Sequence, residues 1–352
     1  MFRLISGLGA SAPTAICDGV VADLWHEDVR GKSISIYSLA PLLGPALGPI
    51  IGGFISENTT WRWAFHATSV ADAIVSFLGF FVLRETYAPV LLRRRADEVR
   101  RELGGAALHY RCKASEPVLI SRLQIAFIRP FRLIGTQIII QTLGLYMAFL
   151  FGLVYLLLST FAVLWTDEYH ESVAIGGLNY LAVGVGLMLG TQLGARCNDR
   201  IFMRLKLRND NQGVPEHRLP LLFPAAILIP VGLLLYGWPA RMHVHWVVPD
   251  MGVAIFTGAI IIAFQCIQMY IIDAYGSVYA ASAMSAASLL RSLAGFSFPL
   301  FGPRLYDSLG YGWGNTLLAA IAVVIGWPAC LGLWSWGRTM RARSPFCVTE
   351  EK

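Results

Sequence analysis

Charged side chains are scarce in this 352-residue sequence: Asp, Glu, Lys and Arg make up 14% of it, against 56% hydrophobic residues. A soluble globular domain carries about 25% charged and about 45–50% apolar residues. Too few polar groups exist to cover a water-facing surface of this size, so lipid is the expected solvent. Cysteine chemistry is equally thin. Cys17, Cys112, Cys197, Cys266, Cys330 and Cys347 are scattered, and none forms a CxxC pair, which argues against a disulfide framework or a zinc site. His243 and His245 form an HxH with no third ligand nearby, so no metal is expected. No P-loop pattern offers ATP as a drive, no cofactor motif appears, and no cleavable secretory signal is visible. Asp167, Glu168, His170 and Glu171 read as a short solvated loop. An enzyme is not the expected class.

What the sequence does have is long apolar runs. A helix needs about 20 mostly apolar residues to cross the hydrocarbon core. Nine stretches qualify: Phe2–Ala22, Ser35–Ser56, Trp63–Leu83, Ile134–Leu156, Val173–Ala195, Leu219–Trp238, Val248–Ile271, Ala281–Pro303 and Asn315–Trp336. Helices are required because lipid-exposed backbone must satisfy its own hydrogen bonds. The fold class is therefore all-α, a polytopic membrane bundle of about nine spans.

The net charge of +6 does not point to nucleic acid, because the basic residues sit between spans. Of 28 lysines and arginines, 23 lie in Arg30–Lys32, Arg84–Arg132, Arg196–Arg218 and the tail after Trp336. The alternate connectors hold only Arg62, Arg241 and Arg304. By the positive-inside rule the first set is cytoplasmic. Trp61, Trp63, Trp238, Trp246, Trp313 and Trp336 fit interfacial anchoring. An odd span count then places Met1 outside, as expected of a chain whose beginning is missing. The long basic connector divides the chain into 1–83, a linker at 84–132, a six-span half at 133–337 and a tail at 338–352.

The most informative stretch runs from Pro41 to Gly53. Gly44, Gly48 and Gly52 recur every fourth residue and share a helix face, a small-xxx-small pattern that lets membrane helices approach closely. Pro41, Pro45 and Pro49 follow the same spacing on an adjacent face and remove backbone donors, predicting a bend. GPALGPIIGG at 44–53 resembles the antiporter signature of the fifth helix in major facilitator superfamily drug:proton antiporters, in their fungal branch. RLISG at 3–7, ADLW at 22–25, WRW at 61–63, RETYAP at 84–89, RPF at 129–131, PEHRLP at 215–220, IDAYG at 272–276 and GWGN at 312–315 continue the likeness. It covers nearly the whole chain, in the order of helices four to twelve of a twelve-helix fold.

The resemblance implies a central cavity between two helical halves, with the first three helices absent from this chain. It assigns Arg3 to proton coupling; snorkelling to the interface is the alternative. Gly194, Asp199, Arg200 and Arg204 resemble a latch on the cytoplasmic side, or a plain positive-inside anchor. Arg291, Asp18 and Asp72 are intramembrane charges, functional candidates by default, with structural pairing as the other reading. Gln137, Gln141, Tyr155, Asn179, Tyr180, Gln265 and Gln268 are cavity candidates for a large apolar solute, or interhelical hydrogen bonds. Asn58 begins an Asn-Thr-Thr sequon on the outer side.

The implied function is proton-coupled efflux of small, largely apolar molecules, the class of drugs, toxins or secondary metabolites. The expected partners are the lipid bilayer, a small-molecule substrate and protons, with no nucleic acid and a monomeric state. A multi-pass place in the plasma membrane is expected, or in a vacuolar or other internal one. Two other readings stay open: a truncated relic or interaction protein that does not transport, and an uptake carrier for a sugar or amine.

Overall fold

The computed structural model describes residues 5–7, 9, 44–82, 85, 88–102, 119–209 and 213–347, with side-chain burial given for most of these. Arg3, Asp18 and Pro41 lie outside them. The chain divides into two compact units, Met1–Gly44 with Thr60–Pro117 and Pro45–Thr59 with Val118–Lys352. In chain order the helices are α1 (44–58), α2 (Trp61–Val82), α3 (Ala88–Glu102), α4 (Leu119–Thr136), α5 (Ile138–Val163), α6 (Val173–Leu178), α7 (Tyr180–Arg208), α8 (Leu222–Arg241), α9 (Val247–Gly276), α10 (279–309) and α11 (311–342).

The first unit contributes α2 and α3. No residue of α2 is buried, and Asp72 stands exposed on it. Helix α3 is polar and carries an Arg95–Glu98 pair at 3.0 Å.

The second unit holds α1 and α4 to α11. Of the six stretches of the described residues long and apolar enough to span a membrane, five lie in this unit, the last of them 64 residues long. Gly276 (φ 59°) and Gly310 (φ 68°) interrupt the helical run from Val247 to Ala342. Their left-handed backbone suits glycine, which has no Cβ to clash. At Gly310 the chain passes from α10 to α11 while Tyr306 stacks on Tyr311 at 4.6 Å and donates its hydroxyl to Asn315 Oδ1 at 3.2 Å. The predicted spans at 281–303 and 315–336 are thus central parts of longer helices.

Two other boundaries move for physical reasons. The expected span from Ile134 starts later, because Gln137 is extended (φ −110°, ψ 108°) and separates α4 from α5. Gln141 Nε2 donates to the Ile134 carbonyl at 2.8 Å, satisfying an acceptor that the break releases. At its far end α5 continues through a π-turn, Leu164–Glu168, well past Leu156. The expected span 173–195 is split into α6 and α7 and reaches Arg208.

Helices α7 and α9 cross at close range. A Cβ on Gly190 would stand 2.4 Å from the Gly258 carbonyl oxygen, and one on Gly186 would stand 2.4 Å from that of Ala254. Only backbone-to-backbone contact at small residues permits this approach, the usual basis of helix association in lipid. Between α5, α7 and α8 sits an aromatic cluster of Phe161, Trp165, Tyr180 and Tyr236, all buried.

Candidate functional site

Three places concentrate polar chemistry in the second unit. The first is built on α5, α9 and α10. Phe151 and Tyr155 lie one turn apart on α5 with ring centroids 4.7 Å apart, and Phe264 of α9 approaches Phe151 at 6.1 Å. Arg291 of α10 places its guanidinium carbon 4.7 Å from the Phe151 centroid. Its Nε is buried without a hydrogen-bond partner. Gly295, one turn further, leaves room for the Phe151 ring, since a Cβ there would stand 3.0 Å away. Gln268, half-buried, follows Phe264 by one turn of α9. An aromatic wall with one guanidinium is the composition of a site for a mostly apolar solute with a hydrogen-bond acceptor.

The second place is the basic end of the bundle, where the turn Pro215–Arg218 joins three helices. Arg218 donates to Asp199 of α7 at 3.1 Å and to Asp273 of α9 at 3.2 Å, and it lies over Phe202 at 3.9 Å. Glu216 accepts two hydrogen bonds from Arg341 of α11, at 2.9 and 2.8 Å. Both side chains of that pair are largely buried, 13% and 6% exposed. Of the expected latch residues Gly194, Asp199, Arg200 and Arg204, Asp199 is the one that joins this network among the described residues. Asp199 takes part, but its partner is Arg218, while Arg200 and Arg204 are exposed and have no ion pair among the described residues. Gly194 sits apart, in the α7–α9 crossing against Gln265.

The third place is at the opposite end. Asp250 is 9% exposed, and its Oδ1 is buried without a partner. With Glu171, Asn179 and Trp246 it lines a cavity of about 570 Å³ between α7 and α9. Glu171 accepts from Asn179 at 2.9 Å. Nearby, α1 packs on α6 and α7. Glu57 accepts from the Ala174 amide at 2.7 Å, a Cβ on Gly53 would stand 2.9 Å from the Val173 carbonyl, and Ala46 faces Gly184.

These contacts set the proline and glycine helix in its place. The tight approach uses Ala46, Pro49 and Gly53, whereas Gly44, Gly48 and Gly52 have no atom within 4 Å among the described residues. Among the described residues the close contacts of α1 are thus made by Ala46, Pro49 and Gly53.

The Major Facilitator Superfamily profile matches residues 1–299. The chain belongs to the Major Facilitator Superfamily. It is a multi-pass membrane transporter of that superfamily, embedded in lipid and acting on small molecules. It is 46% identical over 345 residues to the efflux pump vrtL of Penicillium aethiopicum, covering 98% of this chain and 68% of that protein. It is 44% identical to the MFS-type transporter oryF of Aspergillus oryzae (98% and 71% covered) and 42% identical to the probable efflux pump mfs2 of Aspergillus flavus (97% and 81%). The fold is similar to the partially occluded, inward-open xylose transporter XylE of E. coli. The TM-score is 0.62 at 17% identity, covering 95% of this chain and 70% of that one.

Within this superfamily member the seven expected cavity residues separate. Tyr155 lies with Phe151 beside Arg291, and Gln268 follows Phe264 by one turn of α9. Asn179 and Tyr180 point elsewhere, Tyr180 donating to the Leu158 carbonyl at 3.0 Å. Gln265 donates to Thr191 O at 3.3 Å across the α7–α9 crossing. Gln137 and Gln141 stand at the α4–α5 break, where Ser344 donates to Gln137 Oε1. Asn58 is exposed at the end of α1 and donates to Phe54 O. Sequence reasoning missed Phe151, Phe264, Glu216, Arg341 and Asp250. An aspartate inside an apolar run was the signal available for the last.

Proposed function

We propose that this chain exports small, largely apolar molecules, drawn outward as protons move in. The observation that carries the reading is Arg291, an arginine within a span, whose Nε lacks a partner and which lies against Phe151, Tyr155 and Phe264. An ionisable group at membrane depth is expensive and marks a substrate or ion path. The aromatic rings would take the apolar body of the solute, and Arg291 its acceptor atoms. The names of the relatives, two of them efflux pumps, support the outward direction.

For the proton, Asp250 is the strongest candidate of the described residues, because its carboxylate is largely buried with an unpartnered oxygen in the first turn of α9, beside the loop residue Glu171 on the same cavity. Arg3, Asp18 and Asp72 stand as further candidates. Alternating access would rock two helical bundles about the midplane. The clamp of Glu216, Arg218, Asp199, Asp273 and Arg341 would hold the cytoplasmic ends of its unit as one body. Each proton entering supplies about 2.3 kcal/mol per 100 mV of membrane potential. The protein acts as a monomer in the plasma membrane, without enzymatic chemistry, and Asn58 would carry a glycan on the outer side.

A retention assay tests this. Cells expressing the chain are loaded with a panel of apolar toxic compounds, with and without a proton uncoupler. Lower retention that the uncoupler abolishes is expected for at least one compound. Raised accumulation would make the chain an uptake carrier, and unchanged retention across the panel would refute transport of this class.

A further inference from the structure

We propose that the C-terminal end of α4, next to the start of α5, forms a binding site for the phosphate-bearing headgroup of an anionic phospholipid of the inner leaflet. Arg129 and Arg132 are three residues apart, so they share one face of α4. Each guanidinium lies against an aromatic ring from another part of the unit: Arg129 over Tyr279 at 5.5 Å and Arg132 over Phe346 at 5.6 Å. Tyr279 and Phe346 in turn meet edge to face at 5.2 Å. Arg129, Arg132, Leu133, Tyr279 and Phe346 together line a cavity of about 170 Å³. Among the described residues neither arginine has a carboxylate partner. Two guanidiniums held over aromatic rings at one concavity, with no carboxylate among the described residues, present a fork that suits phosphate oxygens.

The neighbouring side chains select lipid over a free ion. Phe127, Ile128 and Phe131 stand on the same stretch of α4, 68%, 62% and 58% exposed. Three large apolar groups beside two arginines that have no carboxylate partner among the described residues give α4 the character of an interfacial helix, with an apolar face for acyl chains and a basic face for headgroups. Helix α4 lies in the basic connector that the positive-inside rule assigns to the cytosol, where the leaflet is rich in anionic lipid. Basic pockets between spans on that side are recurrent headgroup sites. The site is independent of what the protein transports.

Lipid titration of the purified chain, followed by native mass spectrometry, tests the site with three probes: phosphatidylinositol, phosphatidylcholine and inorganic phosphate. Wild type should bind phosphatidylinositol more tightly than phosphatidylcholine, and inorganic phosphate should not compete. The variant Arg129→Gln/Arg132→Gln should bind phosphatidylinositol about 30-fold more weakly, with each single variant on the order of fivefold weaker, at about one basic residue's contribution apiece. Phosphatidylcholine binding should not change. The single variants decide the matter should the double variant fail to fold. Arg200→Gln/Arg204→Gln, which removes an exposed basic pair without aromatic partners, should leave phosphatidylinositol binding as it is. Unchanged affinity in the α4 variants, equal loss in the α7 control, or displacement by inorganic phosphate would each overturn the proposal.

Discussion

Replacing Arg341 or Glu216 should destabilise the protein more than any other change on the basic side, and the two effects should not add. Two hydrogen bonds of 2.9 and 2.8 Å join the guanidinium to both carboxylate oxygens, with the side chains 6% and 13% exposed. Removing Arg341 leaves the buried Glu216 carboxylate without the two hydrogen bonds it accepts, and breaking a buried pair of this kind costs about 3–5 kcal/mol. Removing both leaves no orphan charge, so Glu216→Gln/Arg341→Gln should cost far less than the sum of the singles. A coupling energy on the order of 2–3 kcal/mol is expected, at the upper end for residues in one network. The assay is a double-mutant cycle on unfolding of the purified protein in mixed micelles of mild and denaturing detergent. Gly337→Val should disturb the same clamp, because a Cβ at 337 would stand 3.0 Å from Glu216 Oε1. Single effects below about 1 kcal/mol, or additivity within about 0.5 kcal/mol, would refute the clamp as a buried, cooperative pair.

Gly190→Leu should be severe, since its Cβ meets the Gly258 backbone at 2.4 Å and neither helix can yield locally. Overpacking of this kind costs about 1–3 kcal/mol or more and should show as lowered thermal stability in detergent; wild-type stability would contradict the α7–α9 contact. Asp250→Asn should leave a folded protein whose export no longer responds to the proton gradient, whereas unchanged response would remove Asp250 from the proton path. Cys347 is buried beyond the end of α11, and burial pushes its thiol up from the ordinary value. Less thiolate is then present at neutral pH than for a free cysteine. A variant keeping only Cys347 should react more slowly with maleimide when native than after denaturation, and faster as pH rises; equal native and denatured rates would contradict its burial.

The spans were legible because lipid imposes a simple rule on composition: about 20 apolar residues and self-satisfied backbone. Their ends were not, because ends depend on single events such as the extended Gln137 and the π-turn at Leu164–Glu168, which hydropathy does not encode. PEHRLP and IDAYG were visible as motifs, yet nothing in linear spacing pairs Glu216 with Arg341, 125 residues away. The glycine row of α1 shows which side chains align and not which residues meet a neighbour, and among the described residues the contacts fall on Ala46, Pro49 and Gly53. Arg291 was legible as an intramembrane charge, while its setting beside Phe151 and Phe264 required the α5–α9–α10 contact.

The most direct test of the central claim is transport by the purified protein in liposomes with an acidic lumen and a neutral exterior. A fluorescent apolar substrate should accumulate in vesicles whose inserted molecules face inside-out, with protons leaving as it enters. Dissipating the gradient with an ionophore should stop both movements, and Arg291→Leu should reduce substrate flux more than tenfold while the protein remains folded by size-exclusion chromatography. Equal accumulation with and without the gradient, or full flux in the Arg291→Leu protein, would contradict the account.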